Sequence, residues 1–297
     1  MIPKKYDIKF SDNEKVAGVD VEVNVWRDFD HADMHGHEFI EINYIHKGEG
    51  WYLFNDEMMR CHAGDVFIVE KGDAHMVMSE LDDMMTIYNL IFKPSFFDNT
   101  LAGCEHFSDV TNSFLLKAFS DVDNQSIRRT HFSEAELPRV SHLFETMLFE
   151  YDTHKTGFEE LIRAYTLELL VMIFRKNIDF ESETRIKKEH SDDFDSVLSY
   201  ITEHYTENIP LKDLADIMYV SPKYFSKLFK EYIGMTVTDY IQRMRVFLAR
   251  DLLDNTALSV VKVAEQCGYS DVKFFNDVFY RLVRKKPTEY RKRTVNS

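Results

Sequence analysis

The C-terminal third of this 297-residue chain repeats itself, and the repeat limits what the region can fold into. Leu214-Ala215-Asp216 aligns with Val263-Ala264-Glu265, and Ser221 with Ser270, at an offset of 49. Past the serines the offset becomes 50, where Phe225 matches Phe275, Phe229 matches Phe279, Tyr240 matches Tyr290 and Arg243 matches Arg293. Only two copies are present, too few for a solenoid, so two supersecondary units are expected. Each copy reads as a short helix, a turn and a longer helix. In the first, "LKDLADIM" and "YVS" precede Ser221, an N-cap, and Pro222, at the favoured first helical position. The helix "PKYFSKLFKEYI" then buries Phe225, Leu228 and Phe229 and stops at Gly234. In the second, "SVVKVAEQC" runs to Gly268, which suits a turn of positive φ. A Ser270/Asp271 cap opens "SDVKFFNDVFYRLV", which buries Phe275 and Phe279. "TVTDYIQRMRVFLARDLLDN" reads as one long helix between the copies.

The front of the chain has a different period. "VDVEVNVW" alternates strictly, putting Val19, Val21, Val23 and Val25 on one face of a strand. Turn-like "HKGEG", "FNDE", "CHAGD" and "EKGDA" follow, so residues about 16–93 read as a small β-barrel or sandwich. Residues about 108–176 read as helices. Ser133 and Glu136 resemble a capping box, and Phe158, Leu161, Ile162, Tyr165, Leu169 and Ile173 form one stripe. These helices are expected to pack on the barrel, on each other or on a second subunit. The charged stretch 177–193 has no apolar period and reads as a linker. The expected class is α+β in two domains: 1–176, barrel and helices, and 194–297, all-α.

The net charge of −15 is uneven. Residues 1–185 carry 18 Lys and Arg against 35 Asp and Glu; residues 186–297 carry 18 against 16. An acidic body with a mildly basic tail fits a body joined to a nucleic-acid module, although a solvated acidic face explains it equally. Cys61, Cys104 and Cys267 are far apart and without C-x-x-C spacing, which argues against a disulfide framework and for a reducing compartment. The first residues lack an apolar signal core, and the longest apolar run is too short for a bilayer, so a cytoplasmic protein with no membrane partner is expected.

The two stretches "LADIMYVSPKYFSKLFKEYIGMTVTDYIQRMRVFLARDLL" and "VAEQCGYSDVKFFNDVFYRLVRKKPTEYR" resemble the tandem helix–turn–helix module of AraC-type (AraC/XylS) transcription regulators. The resemblance implies that the second helix of each copy enters a major groove of double-stranded operator DNA. Successive grooves on one DNA face lie ~34 Å apart. Carried over by position, the DNA-facing residues are Lys223, Tyr224, Ser226, Lys227 and Lys230, then Lys273, Phe274, Asn276, Asp277 and Arg281. Lysine can donate to guanine and serine suits several bases, but lysines on such a face also serve phosphate alone. Asp277 stands where the family often has a basic residue, and Arg284 where the first copy has Gly234. The first unit is therefore expected to anchor binding.

Such regulators typically carry a cupin-like barrel at the N-terminus. "HADMHGHEFIEINYIHKGEG" resembles the first half of the cupin motif through His35, His37 and Glu41. "GDVFIVEKGDAH" resembles the second half through His75, with Glu70 replacing the motif's proline and Ser79 its asparagine. Three readings stay open for His35, His37, Glu41 and His75. They could contact a small polar effector, sugar-like by default, with Trp51 as a stacking wall. They could hold a divalent metal ion, no cofactor being otherwise required. Or they could satisfy one another structurally. The resemblance implies a ligand-responsive regulator, activation favoured over repression, acting as a homodimer, with RNA polymerase a further candidate partner and no enzymatic role. A metal-dependent cupin enzyme fused to a DNA-binding module is the alternative, and a constitutive DNA-binding protein whose barrel only dimerises is a third.

Overall fold

The computed structural model describes residues 7–8, 20–27, 35–54, 57–79, 84–97, 106–111, 128–184 and 191–294. The strands among the described residues are β1 (Asp7–Ile8), β2 (Val21–Arg27), β3 (Gly36–His37), β4 (Ile40–Lys47), β5 (Glu49–Phe54), β6 (Glu57–His62), β7 (Asp65–Val69), β8 (His75–Ser79), β9 (Thr86–Phe92) and β10 (Arg129–His131). A five-stranded sheet runs β10-β7-β4-β9-β2 and a three-stranded sheet β6-β5-β8, each antiparallel throughout. β1 pairs in parallel with β3. Val21 and Val23 are buried as their alternation requires; Val19 lies outside the described residues.

α1 (Phe107–Thr111) precedes β10, and α2 (Leu137–Thr153) and α3 (Phe158–Thr184) follow it. The outer face of the five-stranded sheet, with Ile40, Ile42, Tyr44, Leu90 and Phe92, shares one apolar core with α2 and α3. The helix stripe is thus absorbed largely within the subunit. The Ser133–Glu136 interaction forms, with Glu136 Oε2 accepting from Ser133 N at 2.8 Å. α2 nevertheless begins only at Leu137, with Pro138 in its first turn.

The stretch 177–193 is not a linker throughout. α3 continues to Thr184, and Asn177 is buried, donating to Thr130 Oγ1 (2.7 Å) and Ile173 O (2.9 Å). Residues 177–184 hold two glutamates among weak helix formers such as Asn, Asp, Ser and Thr, so the extension rests on a helix already nucleated upstream, which adds a hydrogen bond per residue without needing an apolar period. α4 (Ser191–His204) starts before the expected domain boundary.

The repeat folds as two helix pairs: α5 (Leu211–Ile217) with α6 (Pro222–Ile233), and α8 (Val260–Gln266) with α9 (Val272–Val283). α7 (Val237–Asn255) joins them and α10 (Pro287–Thr294) follows. Ser221 Oγ caps α6 by accepting from Tyr224 N, and Asp271, not Ser270, caps α9. The repeat exchanges its glycines between copies. The turn before the second helix is left-handed at Tyr219 (φ 55°) in the first unit and at Gly268 (φ 80°) in the second. The end of that helix is left-handed at Gly234 (φ 85°) in the first and Arg284 (φ 56°) in the second. Gly268 is obligatory for a further reason: a Cβ there would lie 2.0 Å from Thr206 O. Arg284 is exposed. Arg284→Gly is therefore expected to stabilise the domain by about 1 kcal/mol, read as a higher denaturant midpoint at unchanged slope.

Candidate effector pocket and DNA-facing surface

Inside the barrel is a cavity of about 90 Å³ lined by Trp26, His35, Glu41, Asn43, His75, Val77, Ile87 and Asn89. Strand alternation explains the lining. Ile40, Ile42 and Tyr44 of β4 point to the helices, so Glu41 and Asn43 point into the barrel. β5 and β8 pair Trp51 with Met78 and Tyr52 with Val77. The register puts Tyr52 and Val77 inside and Trp51, Leu53, Met76 and Met78 outside. Trp51 is therefore not a wall of this pocket; Trp26 lines it instead. Residues two apart in a strand share a face, so one continuous strand would point His35, His37, Phe39 and Glu41 the same way; the chain instead bends at Glu38 and Phe39 between β3 and β4.

Donor atoms of His35, Glu41 and His75 lie within 4.8 Å of one another. His37 stands outside that set. Its ring stacks on Phe39 at 4.2 Å, its Nδ1 donates to Phe39 O at 2.9 Å, and its Nε2 lies 3.1 Å from Glu41 Oε2. His75 Nε2 lies 3.2 Å from the same oxygen, off the direction of a hydrogen bond and with no other partner among the described residues. Burial alone would raise the Glu41 carboxyl, but the facing His37 and His75 side chains outweigh it and hold it well below the usual carboxylate range.

A polar chain, half-buried at Glu22 and buried at Tyr52, fixes the tautomer of His75. Glu22 can only accept, so Asn24 Nδ2 donates to it (2.9 Å). Asn89 Nδ2 then donates to Asn24 Oδ1 (3.0 Å) and Asn43 Nδ2 to Asn89 Oδ1 (2.8 Å). Tyr52 OH donates to Asn43 Oδ1 (2.5 Å) and has one oxygen left to accept from His75 Nδ1–H (2.8 Å). His75 thus carries its proton on Nδ1 and presents Nε2 to Glu41. His37, donating through Nδ1 to a carbonyl, does the same. Two imidazole nitrogens thus converge on one carboxylate oxygen. Residue spacing did not reveal Tyr52, Asn24, Asn43 and Asn89. Their signal was asparagine within apolar strands, where it is depleted unless something satisfies it.

On the other side, α6 exposes Lys223, Tyr224, Lys227 and Lys230, with Ser226 half-buried and bonded to Pro222 O (3.0 Å). Lys227 is 3.7 Å from Glu231. α9 exposes Lys273, Phe274, Asp277 and Arg281, with Asn276 half-buried. Arg281 is engaged by Gln242 and lies 3.9 Å from Asp239 on α7. The two units are thus unequal: the first offers three exposed lysines, and the second offers one lysine, a carboxylate and an arginine already held by α7.

The outer face of the three-stranded sheet meets the helical domain. Trp51, Leu53, Met58, Met76 and Met78 belong to one apolar cluster with Phe194, Val197, Phe229, Tyr240 and Met244. Arg243 lies over the Trp51 ring at 4.9 Å, and Tyr240 OH accepts from Met58 N at 3.4 Å.

A polar barrel cavity backed by a sheet that packs on paired helix–turn–helix units defines a ligand-responsive, DNA-binding transcription regulator. Residues 18–170 match the AraC-like ligand binding domain and residues 214–293 a helix-turn-helix domain. The chain belongs to the AraC family of transcription regulators. It is 26% identical over 264 residues to the HTH-type transcriptional activator RhaR of Mannheimia succiniciproducens, covering 88% of each chain. It is 25% identical to the HTH-type transcriptional activator RhaS of Klebsiella pneumoniae, covering 86% of each. The DNA-binding domain of AdpA in complex with a target DNA aligns at 28% identity and a TM-score of 0.33, over 35% of this chain and 93% of that one. Among the described residues no helix is long and apolar enough to cross a membrane.

Proposed function

We propose that the barrel cavity is the effector site, that the effector is a small polar molecule of carbohydrate type, and that its arrival is reported to the DNA-binding helices through β5 and β8. The carrying observation is that one pair of strands has both surfaces in use. His75 and Val77 line the cavity, with Tyr52 bonded to His75 from the same side of the sheet, while Trp51, Met76 and Met78 face the helical domain. A volume of about 90 Å³ takes about three waters at ~30 Å³ each, well below the ~300 Å³ and above of ordinary ligand pockets. A sugar therefore enters only by displacing the lining. That displacement gives the two states the unequal ligand affinity any switch requires. The activators among the relatives favour activation for this chain too. Phe149 and Leu161, exposed on α2 and α3, support pairing of two copies there. The protein acts by binding, not catalysis, in a reducing cytoplasm, and contacts RNA polymerase when bound to DNA.

A second reading is favoured by His75 Nε2, buried, aimed at Glu41 and otherwise unsatisfied among the described residues. His35, Glu41 and His75 would hold a divalent ion, with Nδ1–H of His75 fixed by Tyr52 as a hydrogen-bond partner behind the ring commonly fixes a ligating histidine. The ion would supply positive charge to which an effector's oxygens bind.

Thermal shift against sugars and divalent ions tests both. A ligand at 100 times its dissociation constant is expected to stabilise the chain by about 2.7 kcal/mol, and His75→Ala to remove that shift. If sugars and ions leave the transition unmoved, and footprints on DNA flanking its own gene ignore them, the barrel is no sensor of either class.

A further inference from the structure

We propose that His62, Asp65 and His131 form a second divalent-cation site, on the outside of the barrel, of the imidazole–carboxylate kind that takes Zn(II), Ni(II) or Cu(II). Donor atoms of the three lie within 4.8 Å of one another, and they come from three segments: the end of β6, the start of β7 and the end of β10. None of them lines the effector cavity.

The carboxylate is fully buried and pre-oriented. Asp65 Oδ2 accepts from His62 N (3.0 Å) and from Arg129 Nη2 (3.0 Å). Both donors are committed to Oδ2, so Oδ1 is turned to His131 Nδ1 at 3.0 Å. Arg129 is itself tethered by donating to Arg60 O at 2.7 Å, which fixes its guanidinium on the Oδ2 side. His62 Nδ1 lies 3.6 Å from the carboxylate, and the two imidazole rings stand edge to face at 4.8 Å and 88°. A structural hydrogen bond to Asp65 accounts for one histidine. The second ring has only a long contact of its own, His62 Nδ1 to Ala63 O at 3.5 Å, and stands with that nitrogen beside the same carboxylate.

The backbone that carries the three is rigid. β10 pairs His131 with Asp65, and Phe132 N donates to Gly64 O at 2.9 Å. A Cβ at Gly64 would lie 2.5 Å from Phe132 O, so only glycine lets the segments approach this closely. The two rings are half exposed and open onto a cleft of about 370 Å³ whose walls also carry Glu49 and Glu134. An ion can enter; Glu49 is paired with Arg60 at 2.8 Å and Asp65 with Arg129 at 3.0 Å, so the attraction for a cation comes from the donor atoms and from Glu134 rather than from a large excess of negative charge.

The donor set chooses the metal class. Two imidazoles and one carboxylate suit late first-row divalent ions, whereas Mg(II) and Ca(II) prefer all-oxygen surroundings. On binding, the ion takes the place of the Nδ1 proton of His131, which leaves to solvent or moves to Nε2. Because β10 leads into α2, an occupied site would pin the start of the helical layer to the barrel.

Zn(II) titration by calorimetry of the untagged, metal-stripped full chain tests this. Wild type is expected to bind one equivalent that survives His75→Ala and is weakened tenfold or more in both His62→Ala and His131→Ala. Mg(II) is expected to give no such event. His62 and His131 are half exposed, so circular dichroism should show both variants folded; His131→Asn, which keeps a polar side chain, is the substitute if His131→Ala is not. Co(II) added in place of Zn(II) should give visible absorption that the same two substitutions abolish. Unchanged Zn(II) stoichiometry and affinity in the His62 and His131 variants overturns the site, as does binding removed by His75→Ala alone. The latter result would leave the barrel reading intact.

Discussion

Trp51→Ala is expected to split the thermal unfolding of the chain into two transitions where wild type shows one. Trp51 is 1% exposed, and the cluster around it is the main apolar contact between sheet and helical domain. Truncating a buried tryptophan costs about 3–5 kcal/mol. Here the loss falls on the interface. Each side retains its own core, with Ile42, Leu90 and Phe144 in one and Phe225, Phe279 and Val263 in the other. Scanning calorimetry would show two transitions, the lower displaced downward. Because β5 and β8 are shared between cavity and interface, the variant should still bind effector and DNA while effector no longer alters DNA affinity. Trp51→Phe, which keeps an aromatic face for Arg243, should restore much of the coupling. A single transition with full effector response in Trp51→Ala would show that signalling bypasses this sheet.

The repeat made the helical domain legible because each boundary was marked by chemistry with one meaning. Ser221 followed by Pro222, Gly234 and Gly268 all mark ends. The exchange of glycine for Tyr219 and Arg284 was less visible, since aligned copies show the departure but not the φ angle. The barrel was legible as a class. Its inside and outside were only partly so. A period of two fixes relative phase along β5 and not its absolute sense, and both faces of β5 are buried, so Trp51 and Tyr52 looked alike. The polar chain from Glu22 to His75 spans several strands and exists only once their registers are set. His62 and His131 are 69 residues apart and meet for the same reason. The run 177–193 misled because a helix nucleated upstream can continue through residues of weak propensity and no apolar period, which leaves no periodic trace.

On the DNA side, Lys227→Ala should weaken operator binding at least tenfold, whereas Lys273→Ala should cost less than about threefold. The ranking follows from local charge. On α6, Lys223, Lys227 and Lys230 are exposed, and an ion pair at 3.7 Å to Glu231 between exposed side chains is too weak to hold Lys227 from phosphate. On α9, Asp277 stands exposed beside Lys273 and repels the backbone, while Arg281 is drawn toward Asp239 and Gln242. Salt dependence separates the two roles Lys227 can have. If Lys227 binds phosphate, its removal lowers the salt slope by about 1 and weakens all sequences alike. If it reads a guanine, its removal costs about 1–3 kcal/mol at one position and relaxes preference there. Asp277→Asn should then strengthen binding, most at low salt, because it removes a charge facing phosphate without adding a donor of lysine's reach. Gel-shift measurements across a salt series, with wild type and these three variants on one operator fragment, give the order directly. If Lys273→Ala proves the more damaging, the second unit is the anchor and Asp277 must accept from a base, the one arrangement in which a carboxylate on that face helps.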